Sequence, residues 1–137
     1  MLAGEIGFMG KSVVLAAASA VLLAGCNAHT VTVPAGGSAI VSQLAMFQLH
    51  ACTSWEPPRA KLDQPPANGT AAIGQIKGVI TAPSHPCAGK VLDRTVVSYT
   101  PRPGFVGQDS LSVTYDYITN DAGGRGNQTD TVTIQVR

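Results

Sequence analysis

Charge is scarce in this chain. Only 12% of its 137 residues are Asp, Glu, Lys or Arg, the formal net charge is +1, and Lys and Arg nowhere form a run. Polyanion recognition needs a clustered basic patch, so nucleic acid is not an expected partner. Aromatics are few as well: three Tyr, three Phe and one Trp. Beyond residue 25 no stretch keeps a 3.6-residue apolar period over three turns, which argues against long helices. Gly-x-Ser-x-Gly, His-Glu-x-x-His and Asp-x-Asp-Gly patterns are missing. Serine-hydrolase, zincin and calcium-loop chemistry therefore lack sequence support. The expectation is a non-enzyme with no cofactor and no catalytic residues.

What the chain does have begins with an apolar run. Val13 to Gly25 carries no charge and Lys11 precedes it, the arrangement of a secretory signal. Those thirteen residues are too few for a membrane span, which takes roughly 20 in helix. Met9 makes a more regular start than Met1, because Glu5 places a negative charge where a positive one belongs. Two look-alikes fail here. Gly10-Lys11-Ser12 lacks the first Gly of a phosphate loop, position 5 being Glu. An N-myristoylation start from Met9 would need Ser or Thr where Val14 stands.

Leu23-Ala24-Gly25-Cys26 closes the run and resembles the bacterial lipobox. The resemblance implies that the Cys26 thiol receives diacylglycerol, that residues 1–25 are removed as a lipoprotein signal peptide, and that the new amine is acylated. Three acyl chains exceed the two-signal requirement for stable anchoring, at about 0.8 kcal/mol per buried CH₂. Asn27 after the cysteine resembles the enterobacterial signal for outer-membrane delivery. Residues 26–29 are then a lipidated cysteine with a short tether, and residues 30–137 one domain.

Within that domain, alternation with period two marks half-buried strands. Val31 and Val33 share a face, as do Ala45, Phe47 and Leu49. So do Val97 and Tyr99, the run Leu111, Val113, Tyr115 and Tyr117, and the run Val132, Ile134 and Val136. Thr131, Thr133 and Gln135 fill the opposite face of the last strand. Weaker pieces lie between Ile73 and Ile80. Pro, Gly and Asn separate these strands, and Thr53 to Ala72 reads as a surface excursion. The pattern predicts an all-β antiparallel sandwich of six or seven strands.

"PPANGTAAI" at 65–73, "VVSYTPRPGFVGQDSLSVTY" at 96–115 and "DTVTIQV" at 130–136 resemble the bacterial Ig-like, cadherin-like modules of surface proteins. The resemblance implies an Ig-like β-sandwich of about seven strands and an adhesive, spacer or docking role rather than catalysis. Pro101, Gly104 and Gly107 would shape the turn, Phe105 would cap the core, and Asp109 would bind backbone amides there. Val113 stands where the family has an aromatic four places after the Asp, which argues against a tyrosine corner at that point.

Cys52 and Cys87 remain after Cys26. An exported chain favours their pairing, closing a loop of about 36 residues and stabilising by roughly 4 kcal/mol. Such a bond is expected to tie the Thr53 to Ala72 excursion to the sandwich. A competing pattern is present: His50-Ala51-Cys52 and His85-Pro86-Cys87 are both His-x-Cys, so His50, Cys52, His85 and Cys87 make an alternative tetrahedral metal set in a metal-binding or redox protein. His29 is expected in solvent. Trp55, beside Glu56 and Pro57-Pro58, is the candidate binding anchor, and a hydrolase inhibitor using that loop is a further alternative. The leading expectation is an outer-membrane lipoprotein. Its Ig-like module would act as a non-enzymatic binding or structural unit, meeting an envelope protein or polymer.

Overall fold

The computed structural model describes residues 26–137, so the expected signal peptide lies outside the described residues. Nine strands and no helix make up this part. They are β1 Cys26–Val33, β2 Ala39–Leu44, β3 Phe47–Gln48, β4 Thr53–Ser54, β5 Arg59–Gln64, β6 Gly69–Val79, β7 Val91–Pro101, β8 Gly107–Ile118 and β9 Arg125–Val136. A four-stranded sheet has the order β1-β9-β8-β5, a three-stranded sheet the order β2-β7-β6, and β3 pairs with β4 alone. All pairs are antiparallel except β1 with β9.

The alternating residues form the core. Val33, Leu111, Val113, Tyr115, Val132, Ile134 and Val136 come from the larger sheet, and Val41, Val97 and Tyr99 from the smaller. Each is nearly or wholly buried, which gives the fold its sandwich character. Ten such side chains supply the main driving force, at about 1.5–3 kcal/mol for each large apolar group removed from water. The chain crosses between sheets at one end through residues 34–38, 65–68 and 102–106. The connections 45–58, 80–90 and 119–124 lie at the other end, where Cys26 also enters.

Three expectations need correction. Thr53 to Ala72 is not a strandless excursion: it holds β4, β5 and the start of β6, and Ala60 and Leu62 pack on the core. The apolar side of β5 is only those two residues, alternating with Arg59, Lys61 and Asp63, too short to stand out between the flanking prolines. Residues 26–29 are not a tether, since they form the first half of β1 and pair with Thr129 to Val132. Ala45, Phe47 and Leu49 do not share a continuous strand, because β3 stops at Gln48 and Leu49 is exposed.

Candidate functional site

Polar chemistry gathers in three places among the described residues. The first is the turn that the motif Tyr99 to Ser110 builds. Asp109 opens the buried face of β8, and its carboxylate accepts hydrogen bonds from the backbone N–H of Ala67 (3.0 Å), Asn68 (2.8 Å) and Ser110 (2.9 Å) and from the Tyr99 hydroxyl (2.8 Å). Burial pushes the Asp109 carboxyl up, but these four donors more than offset it and hold the group below its ordinary range. Burial, then the bond to Asp109, pushes the Tyr99 phenol up to about 12. Gly69 lies against that ring: a Cβ there would sit 2.7 Å from Tyr99 Cε1. Phe105 packs at the core's edge as expected, and Gly104 adopts φ +81°, closed to most side chains. The cluster ties the 65–68 crossover to β7 and β8 and leaves Asp109 no lone pair for a ligand.

The second place lies between the sheet edges β1 and β2. A cleft of about 400 Å³ is lined by His29, Val31, Ile40, Val41, Ser42, Gln43 and Asp130. A register shift between Ile40 and Ser42 leaves Val41 unpaired with β7, so Val41 and Ser42, though consecutive, are both buried. A bulge re-aims side chains in this way. Ser42 Oγ donates to Asp130 Oδ2 at 2.6 Å and lies 2.7 Å from the Tyr115 hydroxyl. Ser42 has one proton to give, so Tyr115 donates to it. Burial holds the Tyr115 phenol above its ordinary value. Gln128 Nε2 donates to the other Asp130 oxygen at 3.2 Å.

Serine, histidine and carboxylate therefore share one cleft, but not in a relay. His29 Nε2 donates to the Val41 carbonyl at 2.9 Å, and the Ser42 proton already points at Asp130. A nucleophile needs its base within hydrogen-bond reach. These bonds instead join the two sheets at their edge. Ser42, Tyr115 and Asp130 are not singled out as candidates from sequence. Asp130 had a signal all the same: it shares the face of Val132, Ile134 and Val136, where a lone carboxylate demands a buried partner.

Comparisons with protein-family models, with curated proteins and with solved structures found no match.

The third place is the disulfide end. Cys52 and Cys87 are joined, with Cα atoms 5.4 Å apart and a sequence separation of 35. The bond links the β3–β4 turn to the β6–β7 connection, rather than fastening a strandless excursion. Cys52 is the one non-glycine residue with positive φ among the described residues, at 53°, and its N–H donates to Gln48 O at 2.8 Å. The His-x-Cys segments do not assemble a metal ligand set: both sulfurs are engaged in the disulfide, His50 is exposed, and no group of three His, Cys, Asp or Glu side chains forms among the described residues. His85 Nδ1 accepts from Cys87 N–H at 3.0 Å, and its ring lies 5.7 Å from that of Phe47. A groove of about 240 Å³ runs past them between Ala45, Val79, Ile80, Leu92 and Arg94. Trp55 is half-buried, and its backbone N–H closes the β3–β4 loop onto Met46 O at 3.0 Å.

Proposed function

We propose that this chain is a bacterial envelope lipoprotein: an Ig-like, non-enzymatic binding or structural module anchored by acylated Cys26 and delivered to the outer membrane. The observation that carries the reading is the Cys52–Cys87 disulfide, because thiols pair in the compartments that an export signal leads to. The strand order supports the Ig-like part. Taking β1, β2 and β5 to β9 as strands A to G, the smaller sheet unites B, E and D and the larger unites C, F and G, as in an Ig domain. Strand A departs by joining G in parallel instead of lying beside B.

The polar clusters support the non-enzymatic part, since each is closed on itself by bonds that hold the fold. The partner is then an envelope protein or polymer, met close to the bilayer because the sandwich begins at Cys26 itself. The test is metabolic labelling with an alkynyl fatty acid followed by envelope fractionation. The full chain is expected to take up label in the outer-membrane fraction, and Cys26→Ala to take up none. Label that persists in Cys26→Ala, or none in the parent chain, sinks the anchor.

A further inference from the structure

Every open sheet has two edges, and a bare edge offers unpaired N–H and C=O groups to another extended chain. Three of the four edges of the two main sheets carry a device against this. β5 is six residues long, has a register shift between Leu62 and Gln64, and carries Arg59, Lys61 and Asp63. β2 is equally short and bulged between Ile40 and Ser42. β1 is bridged to the neighbouring sheet by His29, whose ring reaches the Val41 carbonyl.

β6 has none of these. Its eleven residues pair with β7 in unbroken register, and it contains no proline. Its single charge, Lys77, is paired with Asp93 at 2.6 Å. Ile73, Ile76 and Val79 are 44%, 38% and 53% exposed, with Ile76 on the opposite face from the other two. A long, regular, nearly uncharged and partly apolar edge is the kind that adds a strand.

We infer that β6 pairs antiparallel with β6 of a second copy of this chain, about a twofold axis at Gly74, making one six-stranded sheet from two three-stranded ones. The residues of β6 itself argue for a second copy as the occupant. With Gly74 opposite Gly74, Val79 meets Gly69, Lys77 meets Ala71 and Ile76 meets Ala72, a large side chain against a small one in each pair, Gly78 meets Thr70, and Ile73 beside the axis meets Gln75, whose long flexible chain can lie along it. Odd positions pair with odd positions, so the two faces of the sheet run on without a break. The two Lys77 ammonium groups stand about 20 Å apart along the strands, six residues at 3.4 Å each, beyond the screening length at physiological salt. An isologous twofold contact of this sort closes on itself and goes no further. The inference uses neither the anchor nor the envelope, so it stands or falls separately from the proposed function.

Disulfide trapping tests it in the full chain carrying Cys26→Ser, which leaves no other free thiol. A Cβ at Gly74 meets nothing within 4 Å, so Gly74→Cys is tolerated. Directly opposite residues have Cα atoms about 4.5–5.5 Å apart, within disulfide range. Mild oxidation of Gly74→Cys is expected to yield a covalent dimer on a non-reducing gel. Thr70→Cys, with its two copies about 27 Å apart, is expected to stay monomeric. Ile73→Lys sets two new charges about 7 Å apart across the axis, and is expected to weaken association at least tenfold in sedimentation while leaving the β circular-dichroism spectrum unchanged. Absence of the Gly74→Cys dimer in a folded chain, equal crosslinking at Thr70→Cys, or unaltered association of Ile73→Lys overturns the pairing.

Discussion

Ser42 and Asp130 come from facing sheets, and the serine hydroxyl donates to the buried carboxylate at 2.6 Å. This bond exists because the bulge at Val41 turns Ser42 inward, and because Asp130 occupies a core-facing position of β9. Removing the hydroxyl leaves a carboxylate and the Tyr115 phenol without their shared partner. Buried groups left unsatisfied cost about 1–3 kcal/mol each. Ser42→Ala is therefore expected to lower the unfolding free energy by roughly 1–3 kcal/mol in urea denaturation, whereas Thr131→Ala, on the exposed face of β9, should change it by about 0.5 kcal/mol or less. A Ser42→Ala midpoint equal to the parent's would show that Asp130 is satisfied elsewhere.

Asp109 and Tyr99 bind each other and respond to pH from opposite sides. The folded Asp109 carboxyl titrates below its ordinary value of 3.8. Just under that value the unfolded chain takes up the proton first, so the contribution of Asp109 is full above about pH 4 and is lost as pH falls through the folded value. Tyr99 is raised from 10.0 to about 12. Between those values the unfolded phenol ionises and the folded one does not, so its contribution is full below pH 10 and is lost as pH rises towards 12. Thermal melts from pH 2 to pH 12 should thus fall at both extremes. Asp109→Asn should flatten the acid arm, and an acid arm of unchanged slope would remove Asp109 as its source.

The disulfide at the opposite end closes the β3–β4 turn onto the β6–β7 connection. Replacing both sulfurs, Cys52→Ser with Cys87→Ser, is expected to cost about 4 kcal/mol on the chain-entropy model. Intact mass before and after reduction should differ by two hydrogens in the parent chain and not at all in the double variant. Equal stability of the two in denaturant would mean that the loops at this end are held by packing alone.

How much of this could be read from residues alone differs from strand to strand. β8 and β9 are plain in sequence because Leu111, Val113 and Tyr115, like Val132, Ile134 and Val136, alternate with polar neighbours on a half-buried sheet. The Asp109 turn is equally plain, since proline, glycine and aspartate each serve one backbone geometry there. β5 is hidden because Ala60 and Leu62 are its whole apolar side. The first half of β1 is hidden for another reason: Cys26 to Thr30 has no apolar rhythm, and its partner is the last strand of the chain. A bulge has no compositional mark either. The inward turn of Ser42 could not be foreseen, and with it the meeting of Ser42, Tyr115 and Asp130.

The parallel pairing of β1 with β9 also decides how the molecule carries a load. Cys26 stands beside Thr129, and Val33 beside Val136, one residue from the last residue of the chain. A pull applied at Cys26, against resistance at Arg137, runs lengthwise along this ladder. All eight residue pairs then bear the tension together, instead of parting one after another as they would if peeled from an end. The strand that enters from Cys26 is thus loaded in shear.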